Sequence, residues 1–465
     1  SMSRGIMKWG FHDPGACLVT EDGIIAMAEE ERFTREKRSP NPSFPKQSIE
    51  YVLGEYNTDI SEVDAIAIGR DQRRYLNNIK RNPRSIVPTS LASTYSTVQD
   101  LGGILAAYKG EHIKQVSEKL EEIFESEFTG EWYQIPHHRC HAASAMYCSK
   151  FEEEIVLTID GAGEDDSTVL WDSDLNRIKQ FPRTNSIGKF YSAGCNYLGF
   201  RGFRDAGKVM GLASYGKYRE EFEQIFDEIV DVEVGSYDVS SIQKDEFSLL
   251  EEYFGPRRVY PDELTQRHKD FAYHLQLKTE EIVSKLVEHH ITETGVQNIS
   301  LAGGVAMNCK MNREIKNMDL VNDLFIQPAA NDPGISLGAA LEGYRLFTNE
   351  IPDIDFNNVY YGPKYSNEEI ETILKSCDLE YEYFEDISSK VADLLAAGEV
   401  VGWFQGRMEF GARALGNRSI IANPASEEYR DKVNKKVKHR ESWRAFAPRL
   451  LYEARKEYLM DGGEA

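Results

Sequence analysis

IVLTIDGAGEDDS, residues 155–167, is a short run of apolar and β-branched residues that ends on Asp160 and opens into a glycine turn. It is too short for a helix and reads as a buried strand. An acid at the end of such a strand stands where α/β sheets place their ligands. Just upstream, PHHRCHAASAMY (136–147) reads as a helix. Its His137 and His141 are four apart, so both imidazoles share one face. Downstream, QPAANDPGISLGAA (327–340) follows a second apolar strand and supplies Asp332 in a similar setting. Histidines at this spacing are often only capping or packing residues. Two strand-end acids turn the reading toward a metal: imidazoles with carboxylates suit a first-row divalent ion and leave room for substrate.

The pattern spreads outward from this strand. NISLAGGVAMN (298–308) is a strand, a glycine turn and a helix start. Gly303 and Gly304 permit close backbone approach to a ligand, the helix start favours an anion, and Asn308 suits ribose or phosphate. Packing is the more common reason for paired glycines. Near the N-terminus, IMKWGF, HDPGA and CLVT…GIIAMAEE read as strands around a tight turn, with His12 and Asp13 in the turn. His12 is a candidate general base. VDAIAIG (63–69) is a further strand. Residues 84–128, with a helical EHIKQVSEKLEEIFES, read as an insertion near the substrate. Residues 186–217 are glycine-rich, and Arg204, Asp205 and Lys208 there are candidates to line a cleft. Residues 218–265 are acidic and read as peripheral. Phe271 to Thr294 reads as a long amphipathic helix. Alternating strands and helices imply α/β layers in two similar halves, with ligands between them. The expected domains are 5–350 and 358–465, joined by residues 350–357.

The chain has 465 residues, enough for two or three domains, and a formal net charge of −23. That charge disfavours nucleic acid as a partner. No apolar run reaches eighteen residues, so no membrane span is expected. The start, SMSRG, has no charged-then-apolar leader pattern. Cys17, Cys140, Cys148, Cys195, Cys309 and Cys377 are scattered without a C-x-x-C pair, which fits a reducing, cytoplasmic setting. Against the acidic background stands a cationic set. VVGWFQGRMEFGARALGNRS (400–419) carries Arg407, Arg413 and Arg418 among glycines. VNKKVKHRESWRAFAPRLL (433–451) adds Lys438, Arg440 and Arg444. Cations gathered at strand ends suit a phosphate-bearing anion.

Taken in order, GFHDPGACLV, HHRCHAAS, TIDGAGE, LGFRGFRDAGKVMGLASYG, LAGGVAMN, NDPGISLGAA, GRMEFGARALGNRSIIANP and VKHRESWRAFAP resemble one family. It is that of the O-carbamoyltransferases that modify nodulation factors, cephamycins, aminoglycosides and ansamycins. The resemblance implies an N-terminal domain of actin-like ATPase fold, like the tRNA threonylcarbamoyl-transfer subunit, and a C-terminal YrdC-like α/β domain. It implies that ATP and carbamoyl phosphate give carbamoyl adenylate, whose carbamoyl group passes to a hydroxyl of a small-molecule acceptor. It implies an iron-type metal on His137, His141, Asp160 and Asp332, with magnesium accompanying ATP. Adenylate formation maps onto Arg413, Lys438 and Arg444. Nucleotide contacts map onto Gly303, Gly304 and Asn308, with Lys208, Arg418 and Arg440 as further candidates. Transfer maps onto His12 and Asp13. A homodimer is a candidate assembly. Ala445 stands where the family motif usually has Pro. The family continues with a D-G-T-x-R-like turn and an N-T-S-F-N-like segment, strings not found here, so an incomplete C-terminal domain is expected. Two alternatives share the fold: a tRNA threonylcarbamoyl transferase, which the charge opposes, and a non-enzymatic nucleotide-binding regulator, which needs no paired metal ligands.

Overall fold

The strand expected from IVLTI lies at the centre of the largest sheet in the computed structural model, which describes residues 13–37, 44–81, 105, 108–244, 248–351, 353–444 and 446–459. The strands in chain order begin with β1 (Gly15–Thr20), β2 (Gly23–Glu29), β3 (Ala65–Ile68), β4 (Glu131–Gln134), β5 (Ile155–Ile159), β6 (Asp166–Trp171) and β7 (Arg177–Pro182). They continue with β8 (Asp231–Glu233), β9 (Ser236–Asp238), β10 (Asn298–Ala302), β11 (Asp323–Ile326), β12 (Val401–Phe404) and β13 (Arg418–Ile421). The chain divides into two compact units: Ser1–Tyr365 with Gly406–Ala414, and Ser366–Gln405 with Leu415–Ala465.

In the first unit the large sheet runs β11-β10-β5-β6-β7. β5, β6 and β7 form an antiparallel meander, and β10 and β11 run parallel to β5. Every residue of β5 and β6 is buried, which explains the unbroken apolar and β-branched character of β5. A meander on one side of the central strand and parallel strands on the other is the order of an actin-like ATPase half. The other half shows parts of the same plan: an antiparallel pair β1–β2 and a parallel pair β3–β4. β1 and β3 both line a largely apolar cavity of about 720 Å³. The strand expected from IMKWGF, and His12 after it, lie outside the described residues.

Two helices hold the centre. His137–Ser149 packs against Gly334–Thr348 through small residues, among them Ala142, Ala143 and Ala339. The approach is closest at Gly338, where a Cβ would fall 1.8 Å from the carbonyl oxygen of Cys140. Only glycine fits there.

Several expectations change. Residues 218–265 are not peripheral among the described residues: Phe222, Phe226 and Phe254 are at most 1% exposed. Phe254 meets Phe271 edge-on at 4.9 Å, because the acidic face of Glu220–Ile229 is only one side of an amphipathic helix. The long helix begins at Gln266, five residues before the expected start, with Thr265 in a capping box. The helix Glu111–Phe124 puts Val116 and Leu120 into a core with Leu53, Ile60 and Phe128. The rest of the expected insertion, 84–104 with 106 and 107, lies outside the described residues. The boundary drawn near 358 falls inside the first unit. Tyr361 O accepts from Met27 N, and Phe410 N and Gly362 N donate to Val359 O and Met408 O. These bonds draw 406–414, and Arg413 with it, into the first unit.

The second unit has helices Asn367–Ser376 and Ile387–Ala396, capped by Ser366 and Asp386, and the antiparallel pair β12–β13. Arg418 lies on β13 opposite Phe404.

Candidate metal centre

Three elements of the first unit converge. The turn after β5 brings Asp160, the first two turns of the His137–Ser149 helix bring His137 and His141, and the turn after β11 brings Asp332. One ligand atom from each lies within 4.8 Å of the others. Asp160 Oδ2 is 2.9 Å from His137 Nε2 and 3.2 Å from His141 Nε2, and Asp332 Oδ1 is 3.9 Å from His141 Nε2. With bonds of about 2.0–2.3 Å, ligands of a single ion lie roughly 3 Å apart when adjacent and 4.0–4.6 Å apart when opposite. The four side chains therefore fit one ion. The histidines are buried and the acids keep some exposure, so the open side faces solvent.

The electrostatics match the geometry. Burial pushes the His137 imidazole down, but the Asp160 hydrogen bond and the Asp332 charge carry it up to about 9. Burial would raise the Asp160 carboxyl, yet the two imidazoles hold it well below the usual carboxylate range. His138, between them in sequence, is not part of the group. It meets Thr158 Oγ1 at 3.0 Å and Asp166 O at 3.1 Å. Burial, then the neighbouring imidazoles, push its pKa down, so it packs uncharged.

The glycine turn serves this centre. Gly303 has φ +92°, and a Cβ there would sit 2.3 Å from Ile159 O. Its N–H donates to Ala330 O at 2.7 Å, two residues before Asp332. A Cβ on Gly304 would meet Asp160 Oδ1 at 3.0 Å. Asn308 is turned inward. It caps Cys309–Lys316 through Met311 N, and its amide pairs both ways with Gln276, at 2.9 and 3.1 Å. That leaves little of it for the ribose or phosphate the sequence suggests, and the cap covers part of the helix start.

Asp13 lines the same cavity as His137 and Asp332. Lys208 is 3.4 Å from Asp205 Oδ1. Arg407 is a brace within the first unit, reaching Ile25 O, Tyr51 Oη, Tyr361 O and Gly362 O. Arg413, in the first unit, and Lys438, in the second, are exposed. In the second unit Arg440 bonds Asn434 Oδ1 at 2.6 Å and stacks on Phe446. Burial and then the Arg444 charge lower its pKa, so two guanidinium groups stand close together. Glu164 went unassigned in the sequence. It accepts from the backbone N–H groups of both His137 and Asp71. Its place four residues after Asp160 was the available signal.

The family model for the carbamoyltransferase N-terminus matches residues 4–341, and that for the carbamoyltransferase C-terminus matches 392–465. The chain belongs to the carbamoyltransferase family. Nodulation protein NolNO of Sinorhizobium fredii is 36% identical over 96% of this chain and 64% of its own length. Nodulation protein NolO of Bradyrhizobium diazoefficiens is 42% identical over 70% of this chain and 60% of its own. The 3'-hydroxymethylcephem-O-carbamoyltransferase of Streptomyces clavuligerus is 25% identical over 92% of this chain and 76% of its own. The carbamoyltransferase chain thus spans less than two thirds of either nodulation protein. No helix among its described residues is long and apolar enough to cross a membrane.

Proposed function

We propose that the protein is an ATP-dependent O-carbamoyltransferase that forms carbamoyl adenylate and passes its carbamoyl group to a hydroxyl of a small molecule. The observation that carries this reading is the convergence of His137, His141, Asp160 and Asp332 within 4.8 Å in a member of the carbamoyltransferase family. Those four residues would hold an iron-type divalent ion, which when bound supplies Lewis acidity toward carbonyl and phosphate oxygens. Lys438 and Arg444, with Arg440 and Arg418 in the same unit, balance the phosphate charge during adenylate formation. Arg413 is assigned to adenylate formation as well. Gly303 and Gly304 shape the metal side of the nucleotide site. In transfer, the acceptor oxygen bonds to the carbamoyl carbon as the bond from that carbon to the phosphate oxygen breaks. AMP leaves, and the hydroxyl proton passes to His12. Asp13 lines the cavity with His137 and Asp332.

The test is pyrophosphate release from ATP by the full-length protein, with and without carbamoyl phosphate. The wild type releases it only when carbamoyl phosphate is present. Arg444→Ala lowers the rate about 30- to 1,000-fold, the loss of a phosphate-paired cation worth on the order of 2–4 kcal/mol. Asp160→Asn keeps that step and loses carbamoyl transfer. A wild type without carbamoyl-phosphate-dependent release overturns the reading.

A further inference from the structure

Glu164 is 2% exposed and stands in the turn between β5 and β6, four residues beyond Asp160. Its carboxylate takes three hydrogen bonds from two backbone N–H groups. His137 N donates to Oε1 at 3.2 Å and to Oε2 at 3.0 Å. Asp71 N donates to Oε1 at 2.8 Å. The bond from His137 matters because the residue before it is Pro136, whose side chain makes no capping hydrogen bond. A helix leaves its first N–H groups without intrahelical partners, and a buried one needs an acceptor. Glu164 supplies it from a different element.

The bond from Asp71 reaches across the unit. Asp71 follows β3, which pairs with β4 in the half opposite the large sheet. Its neighbour Arg70 lines the cavity that His137, Glu164 and Asp332 also line. One buried carboxylate thus ties the first residue of the histidine helix, the turn carrying Asp160, and the end of β3.

We propose that Glu164 is a positioning residue that sets His137 for the metal and latches the two halves of the first unit beside it. The proposal rests on the metal reading. It concerns geometry rather than charge: the carboxylate acts by its reach and its acceptor oxygens, not by sitting on the ion. Outer-shell partners of metal ligands typically carry about 10- to 100-fold of the affinity.

The experiment compares Glu164→Gln with Glu164→Asp in the full-length protein. Gln keeps the length and an acceptor oxygen in the position of Oε1, where both N–H groups meet, while its NH2 replaces Oε2 and loses the bond from His137 N. Asp keeps the charge and loses one methylene of reach. Fe(II) affinity is measured anaerobically by chelator competition, and hydrogen exchange is followed at the Asp71 and His137 amides of the metal-free protein. The expected result is that Glu164→Asp weakens Fe(II) about 10- to 100-fold and speeds exchange at both amides. Glu164→Gln stays within a few-fold of wild type in exchange at the Asp71 amide and weakens Fe(II) less than Glu164→Asp does. The reverse order, with Asp tolerated and Gln not, overturns the positioning role. So does wild-type affinity and exchange in both variants. A wild type that binds no Fe(II) defeats the metal reading itself, and the latch with it.

Discussion

Two carboxyls bracket β5: buried Glu154 precedes its first residue and half-buried Asp160 follows its last. Both are withdrawn from water, and they respond in opposite ways. At the Asp160 end burial is outweighed by two imidazoles, and the carboxyl is held well below its usual range. At the Glu154 end burial prevails. Ser149 Oγ answers it at 2.6 Å, and the carboxyl is still pushed up to about 7. The same strand thus carries one acid poised as an anion and one near the neutral form. Burial alone does not mark a functional acid; convergent partners of opposite charge do.

The largest effect that could break this contrast is loss of the metal. Asp160 Oδ2 is shared by both histidines, so Asp160→Asn removes the one anionic oxygen common to the group. Fe(II) affinity should fall by more than about 100-fold, beyond what lost outer-shell partners cost. Metal content after gel filtration checks it. Glu154→Gln, at the other end of the strand, should bind Fe(II) as wild type does. Equal losses in both variants would mean that the strand, rather than the ligand set, governs binding.

The second test asks what the glycine turn is for. Gly303→Ala forces a side chain into φ +92° and against Ile159 O. It should destabilise the protein by about 3 kcal/mol, read as a shift of the urea midpoint. Gly304→Ala crowds only Asp160 Oδ1 and should weaken metal several-fold with little loss of stability. Should Gly304→Val remove AMP binding and spare the metal, the turn belongs to the nucleotide, as its sequence suggests.

The outcome at these positions shows what the sequence could carry. The convergence of His137, His141, Asp160 and Asp332 was legible because their order is local: two histidines one helical turn apart, and two acids each at the end of an apolar run. β5, β10 and β11 were legible for the same reason. The role of Asn308 was not, because its partner Gln276 is 32 residues away on another helix. Glu164 closes the TIDGAGE segment, yet its partners Asp71 and His137 reach it from two other elements. The place of Arg413 was hidden because 406–414 is held by bonds to Val359, Gly362 and Glu29, pairings with no periodic trace. The aromatic core under 218–265 was masked by the acidic face of the helix that covers it.

The smallest effect lies at Glu154 and is read in pH. Its carboxyl ionises near 4.3 in an unfolded chain and near 7 when folded. Between those values the folded protein binds the proton that the unfolded chain has released. Stability from this group is therefore fully present below about pH 4, falls as pH rises toward 7, and is flat above it. Glu154→Gln cannot ionise and removes that fall. The variant should match wild type near pH 4.5 and exceed it by on the order of 2 kcal/mol at pH 8, part of the gain being offset by the amide's own burial. Urea midpoints of the metal-free protein at the two pH values decide it. An unchanged pH slope in the variant would place the Glu154 carboxyl among ordinary acids, and the two ends of β5 would no longer differ by their partners.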